Sequence, residues 1–377
     1  MSGESIPHRK LPGDIFQIPI VWSYELLKYL RSWRLIASVA IVVAMLAMLY
    51  ILPPALGMPY SGTDNQVYVQ VQDFSALNIT LPGLPTPYGI GAINKSVISA
   101  ESLRVYLDGI EYPSAGGMNW TYIQVSFAEE VPSFMGGLPK ANVLLFMQNI
   151  SGRVVTATYD WSVSTEDFSS LFLSFASILI ILAATFFAAD AIVGEFQNRT
   201  GYLVFPTPLK RWVLFMGKFV ASMTAGLLVI VLFYAGTAVL SYAAVGDVDD
   251  DFVLSFLFSV EFLWAATAVA YLISSILKGS TGATVLTFLM FMVILPIVDS
   301  VSMFAGVKIE ASLTFAASVI GYVVIDPYPI DTHYDEYGIS MYMFYPEPWM
   351  AALVCLAYAV LAMALSMVLF NRKQLTG

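Results

Sequence analysis

The sequence has little charge, one cysteine and two histidines. Charged residues make up 12% of its 377 positions, against roughly 25% in soluble domains. With hydrophobic residues at 58% and a mean hydropathy of +0.75, that scarcity excludes a soluble globular chain and implies a polytopic membrane protein. The lone Cys355 sits in an apolar run, which excludes a disulfide within the chain and a cysteine-built metal cluster. There is no GxxxxGK[ST], so ATP is not held here by that loop. HExxH and GxSxG are also missing. No catalytic constellation or metal site is expected, and no nucleic-acid partner.

What the chain has instead is long apolar runs. At 1.5 Å per residue, about 20 residues cross a bilayer core of ~30 Å. Six stretches qualify: Leu35–Leu52, Leu171–Val193, Val213–Ala244, Phe252–Leu277, Thr281–Val298 and Trp349–Phe370. Pro53-Pro54 is expected to end the first. Ahead of it, Ile15–Arg34 mixes Phe16, Trp22 and Leu27 with Glu25, Lys28 and Arg31, a pattern that suits a helix lying in the membrane interface.

Residues 54–168 differ from the rest. They are rich in Gly, Pro, Asn, Ser and Thr, with β-type runs at Gln66–Val71, Leu103–Leu107, Tyr122–Phe127, Val143–Met147 and Arg153–Tyr159. Turn signals separate the runs, among them Asp108-Gly109 and Gly116-Gly117. The reading is a β-rich extracellular domain inserted between the first two spans. It carries four acceptor sequons, at Asn78, Asn94, Asn119 and Asn149, among six asparagines. With Ser and Thr at roughly one residue in seven, about one sequon is expected by chance, so N-glycosylation is expected on an external face. A fifth sequon, at Asn198, falls between the second and third spans and should be silent.

Charge orients the chain. With both termini inside, the inner segments hold 12 Lys+Arg and 4 Asp+Glu, and the outer ones 5 and 21. The basic excess inside sets the topology; the acidic outer face suits a salty or acidic medium. Asp190 and Glu261 fall within spans on this reading. Glu261 lies nine residues past Phe252, about 14 Å deep, where a bare carboxylate is costly. It is either a residue of a substrate or subunit-interface path, or a protonated acid bonded to a neighbouring hydroxyl. Between Asp299 and Glu347, the apolar piece Ala311–Ile325 could be a seventh span, but that would leave Asn371-Arg372-Lys373 outside. His333, Asp335 and Glu336 near its end, with Asp326 and Asp331, could bind a cation but read rather as a solvated acidic loop, and the tyrosines around them as an interfacial aromatic belt.

The stretch Asp190–Lys218 organises the chain. It is the long polar interruption between two apolar runs, with Glu195, Arg199, Lys210 and Arg211 and the breakers Gly201, Pro206 and Pro208. On spacing alone it fits an ordinary positive-inside connector. Glu195, then Arg199-Thr200-Gly201-Tyr202-Leu203, then Pro208-Leu209-Lys210-Arg211, then Gly217-Lys218 resembles the first cytoplasmic loop of type-2 ABC transporter permeases, with Thr200 and Gly201 in reversed order.

The resemblance implies an all-α permease of six transmembrane helices in the cytoplasmic membrane. It makes 1–34 a cytoplasmic N-terminus with an interfacial elbow helix, 35–53 the first span, and 169–377 the permease core. Within that core, 194–212 becomes a coupling loop and 305–345 an external region whose short helices dip into the outer leaflet and return. It assigns ATPase coupling to Glu195, Thr200, Gly201, Leu203, Phe205, Pro208, Arg211 and Lys218. It implies a separate ATPase subunit that binds ATP and Mg, a second permease chain, identical or related, and export of a substrate, with no cofactor in this chain. Glu195–Lys210 is expected to form a short amphipathic helix that docks in a cleft of the ATPase. Arg211, Trp212 and Lys218 would then hold the base of the third span at headgroup level. The other class open to the sequence is a glycosylated receptor or assembly scaffold whose external domain binds a partner.

Overall fold

The computed structural model describes residues 14–68, 72–73, 89–93, 102–117, 119–126, 140–150, 153–197, 210–336 and 339–372. Among them, six helices are long and apolar enough to span: Trp33–Ala55, Thr165–Phe187, Arg211–Val245, Phe252–Ile276, Ser280–Ala305 and Pro348–Arg372. A further helix, α1 (Asp14–Leu30), precedes the first span, from which it is separated by a bend at Arg31 and Ser32. The second span is central, with 61% of its apolar window buried, whereas the first and fifth are peripheral at 17% each. The core around the second span gathers Ile180, Ala184 and Phe187 with Val229 and Phe233 of the third and Phe262 of the fourth.

Three span boundaries depart from the sequence pattern, each for a local reason. The first span runs through Pro53 and Pro54 to Ala55. Those prolines lack the N–H groups that would bond the carbonyls of Leu49 and Tyr50. The Tyr60 hydroxyl reaches both carbonyls instead, at 2.8 and 3.2 Å, so the helix has no orphan acceptors there to end it.

The second span starts earlier and stops sooner than its hydropathy suggests. Ser164 caps it by accepting from Asp167 N, with Glu166 and Asp167 in the first turn, where acids favour a helix N-terminus. The helix breaks between Leu173 and Ala176, resumes to Phe187, and gives way to turns. Asp190 therefore lies in a turn past the helix end and not inside a span.

The fifth span continues to Ala305 through a π-helical stretch, Met290–Ile294, just ahead of Pro296. Loosening the hydrogen-bond ladder there lets a proline stay inside a continuous helix. The stretch read as 311–325 forms two short helices, Leu313–Ala317 and Val319–Tyr322. Together they rise only ~15 Å, half a bilayer. Ser255 of the fourth span donates to Ile320 O at 2.6 Å, and Tyr234 bonds both Ser255 and Ser259. A β-hairpin follows, β9 (Thr332–Glu336) with β10 (Ile339–Met343), in the segment read from sequence as an acidic loop with an aromatic belt. His333 stacks on Tyr342, and Asp331 pairs with Lys308 at 2.9 Å.

Between the first two spans, eight strands among the described residues form two antiparallel four-stranded sheets. One has the order β1 (Ser61–Tyr68), β8 (Val155–Ser162), β4 (Arg104–Leu107), β5 (Ile110–Glu111). The other runs β2 (Gln72–Asp73), β3 (Gly89–Ile93), β7 (Lys140–Phe146), β6 (Trp120–Ser126). Strand β8 alternates, turning Val155, Ala157, Tyr159 and Trp161 inward. These pack with Leu107 of one sheet and Trp120, Leu144 and Phe146 of the other, so both sheets share one core. Asp108 and Gly109 join β4 to β5 with φ of 52° and 84°, the left-handed pair that a two-residue hairpin requires.

Candidate functional site: the base of the second and third spans

The α1 helix is built inside out for a helix in water. Phe16, Ile20, Tyr24 and Leu27 are exposed, while Gln17, Val21 and Tyr29 are buried. An apolar outer face is stable where the surroundings are not water. The inner face lies against the third span, and Gly217 permits the approach. A Cβ there would stand 2.5 Å from Val21 Cγ1 and 2.6 Å from its Cβ.

Next to that contact is Lys218, only 5% exposed, on a helix that would otherwise present an apolar side. Its Nζ donates to Glu25 Oε1 of α1 at 2.6 Å and to Glu195 Oε1 of the short helix Val193–Gln197 at 2.7 Å. The two carboxylates are themselves mostly covered, at 16% and 12% exposure. Attraction between charges in such a place is strong, but so is the desolvation it offsets. The triad therefore specifies an arrangement more than it adds stability. Removing the lysine leaves both carboxylates without their buried counter-charge.

A second ion pair closes the site. Arg34 grips Asp190 with both arms, Nη1 to Oδ1 at 2.8 Å and Nη2 to Oδ2 at 2.6 Å, and Nη1 also donates to Phe186 O at 2.8 Å. The fork geometry of guanidinium suits such a two-point grip. Phe187 O, freed by the end of the helix, accepts from Tyr29 and Ser222 at 2.8 Å each. Burial pushes the Tyr29 phenol up to about 12, so it stays a neutral donor. Ser274 of the fourth span accepts from Ile192 N and Val193 N. Gln197 Oε1 accepts from Ser280 N at the start of the fifth span, and Phe196 packs edge-on against Phe370 of the sixth. Residues 186–197 are thus tied to α1 and to all five other spans.

The structure covers only part of the predicted site. Glu195, Arg211 and Lys218 are described and Thr200, Gly201, Leu203, Phe205 and Pro208 lie outside the described residues, as does most of the segment of the expected docking helix; a short helix, Val193–Gln197, precedes that segment. Arg211 donates to Asn371 O of the sixth span at 3.0 Å. Lys218 turns inward to the carboxylates and not outward to headgroups. Sequence reasoning missed Glu25, Tyr29, Arg34 and Asp190 as members of this site. The available signal was a glutamate and a tyrosine on the face of α1 opposite its exposed apolar row.

Glu261 is half-buried on the fourth span, and among the described residues it has no hydrogen bond. Its neighbour across the helix contact is Cys355 of the sixth span, close enough for the two to interact electrostatically. A bond to a neighbouring hydroxyl, one of the two sequence readings, is not formed. Ser255 and Ser259, earlier on the same helix, are bonded to Tyr234. Of the sequon asparagines, Asn78 and Asn94 lie outside the described residues. Asn119 is half-buried, bonded at both ends of its amide to Pro113 O and Gln148 Nε2, while Asn149 is exposed.

A family model described as "ABC-2 family transporter protein" matches residues 19–375. The chain belongs to the ABC-2 transporter family. Together with six helices of spanning length and composition, this makes it a multi-pass membrane protein, the transport component of an ABC system. No curated relative matches the chain. In this ABC-2 protein the Gly217-Lys218 pair now has a physical account. The glycine admits α1, and the lysine joins α1 to the helix that enters the loop.

Proposed function

We propose that the chain is the permease subunit of an ABC exporter in the cytoplasmic membrane, driven by a separate ATPase subunit that binds beneath residues 194–212. Both termini are cytoplasmic, α1 is the elbow helix in the inner interface, the two-sheet unit is external, and two permease chains form the path. The observation that carries the reading is the tethering of residues 186–197. The segment that enters the loop is bonded to α1 and to every other span, so a push on the loop from the ATPase cannot be absorbed locally. It moves the spans as packed bodies, which is how small displacements become transport steps. The apolar Leu203, Val204 and Phe205, in a connector that also carries Arg199, Lys210 and Arg211, supply a face for a groove on the ATPase.

The test is recovery of the ATPase by tagged permease at matched expression. Leu203→Asp and Phe205→Asp are expected to lower recovery and ATPase stimulation tenfold or more, about 1.4 kcal/mol. Equal recovery would remove the loop from the interface. If no ATPase co-purifies with the wild-type chain, the receptor or scaffold reading takes over.

A further inference from the structure

Between α1, the start of the first span and the end of the second lies a cavity of about 310 Å³. At ~30 Å³ per water it has room for about ten waters. Its charged wall is Glu25, Lys28, Arg34, Asp190, Glu195 and Lys218, three carboxylates and three cations, formally neutral. Most of these charges are satisfied inside the wall, by the Arg34–Asp190 fork and by the two bonds from Lys218. Glu25 Oε2 is the exception. It is buried and accepts no hydrogen bond among the described residues. The Lys28 ammonium forms a loose ion pair with it, 3.6 Å away, on a side chain that is 66% exposed. The cavity thus holds an acceptor without a donor, and its mouth a cation without a firm partner.

We propose that this cavity binds a lipid headgroup that carries both a phosphate and a primary ammonium. The ammonium donates to Glu25 Oε2, and the long, exposed Lys28 turns outward onto the phosphate. A choline headgroup has no N–H and leaves Oε2 unsatisfied, which is costly in a buried place. An anionic glycerol headgroup adds negative charge to a neutral wall whose free group is a carboxylate. The mouth of the site lies at the membrane interface because Trp33, beside the cavity residues Ser32 and Arg34, is 83% exposed, and because α1 itself presents Phe16, Ile20, Tyr24 and Leu27 on the face away from the cavity, as a helix lying in the interface does. Aromatic side chains at such a bend sit at headgroup level. This part rests on the interfacial placement of α1 proposed above. A bound headgroup would touch Glu25, one of the two partners of Lys218, and so place membrane composition in contact with the coupling segment.

The experiment is native mass spectrometry of the full-length chain after exchange into equal amounts of phosphatidylethanolamine, phosphatidylcholine and phosphatidylglycerol with identical acyl chains. The wild type is expected to retain phosphatidylethanolamine at least tenfold over either other lipid. Glu25→Gln and Lys28→Gln should each bring that ratio toward one. Lys28 makes no bond to Lys218, so its variant stays informative if Glu25→Gln folds poorly. A wild-type ratio near one, or a ratio that survives Lys28→Gln, overturns the proposal. Displacement of the lipid by millimolar O-phosphoethanolamine would assign the site to the free headgroup and overturn the lipid assignment. A separate arm reads the placement of α1. In a Cys355→Ala background, Phe16→Cys should be shielded from a water-soluble maleimide in liposomes. If it is shielded and lipid selection is absent, only the headgroup inference falls. If it is labelled, the placement itself is wrong.

Discussion

The Lys218 ammonium holds two carboxylates that both precede it in sequence but lie far apart along the chain, Glu25 and Glu195. Deleting one partner of a buried pair costs about 3–5 kcal/mol, because what remains is an uncompensated charge. Lys218→Met is therefore expected to lower the thermal midpoint of the purified chain sharply. Adding Glu25→Gln and Glu195→Gln to it should recover most of the loss, since neutral amides need no counter-charge. A single Lys218→Met variant as stable as wild type would mean that the carboxylates find other partners. Glu261 poses the opposite case, a carboxyl group without a hydrogen bond among the described residues, at half depth in its span. Glu261→Gln is expected to insert and function, since it keeps size and removes the charge. Glu261→Lys adds an insertion penalty on the order of 2.5–3.5 kcal/mol, and should cut membrane-inserted yield and transport. Unchanged yield and transport in that variant would place residue 261 in a hydrated cavity.

At the scale of elements, two contacts decide how helices end and meet. Tyr60 accounts for the first. Its hydroxyl serves the carbonyls that Pro53 and Pro54 leave open, so Tyr60→Phe should cost about 1–3 kcal/mol for the unsatisfied acceptors. Thermal unfolding is the measurement, and faster amide exchange in the turn that follows, at Leu56 and Met58, would localise the loss. The second is Gly217. Its position 2.5 Å from Val21, for any added Cβ, means that Gly217→Ala forces α1 away from the third span and stretches the Glu25–Lys218 bond. Because Val21 is stiff and β-branched, the neighbour cannot simply rotate aside. Gly217→Ala should destabilise by about 1–3 kcal/mol, as overpacking does, and Val21→Ala in the same chain should relieve it. Absence of rescue would put the damage in the third span itself.

For the whole molecule, the strongest prediction concerns sidedness. If the two-sheet unit is external, glycans in the native host belong on it, and Asn149, which is exposed, should be occupied more fully than Asn119, whose amide is bonded at both ends. Glycopeptide mapping reads both sites. A reporter inserted at position 100 that responds in the cytoplasm would reverse the topology. The burial pattern adds a consequence. The first and fifth spans are covered over only 17% of their apolar windows, whereas the second is covered over 61%. The outer two spans carry the surface available to lipid or to a second chain, while the second span is the most enclosed.

Part of this was legible from residues alone. A chain with 12% charge and 58% hydrophobic residues has to place long helices in a membrane, because backbone groups there must be satisfied within each segment. Hydropathy located all six spans, and the Glu195 to Lys218 pattern carried the family resemblance. Turn chemistry at Asp108-Gly109 and the alternation of β8 marked the strand-rich insert. Tertiary structure decided the rest. Hydropathy read Asp190 as intramembrane, but only the arrival of Arg34 from another span shows that it ends one. Nothing local to Leu49 or Tyr50 tells that a tyrosine ten residues on will replace the proline-deleted donors. Glu25 looked like the polar half of an interfacial helix; the close approach allowed by Gly217 turned it inward to Lys218. Sequence period fixes which residues share a face, while which face meets protein and which meets lipid depends on partners distant in the chain.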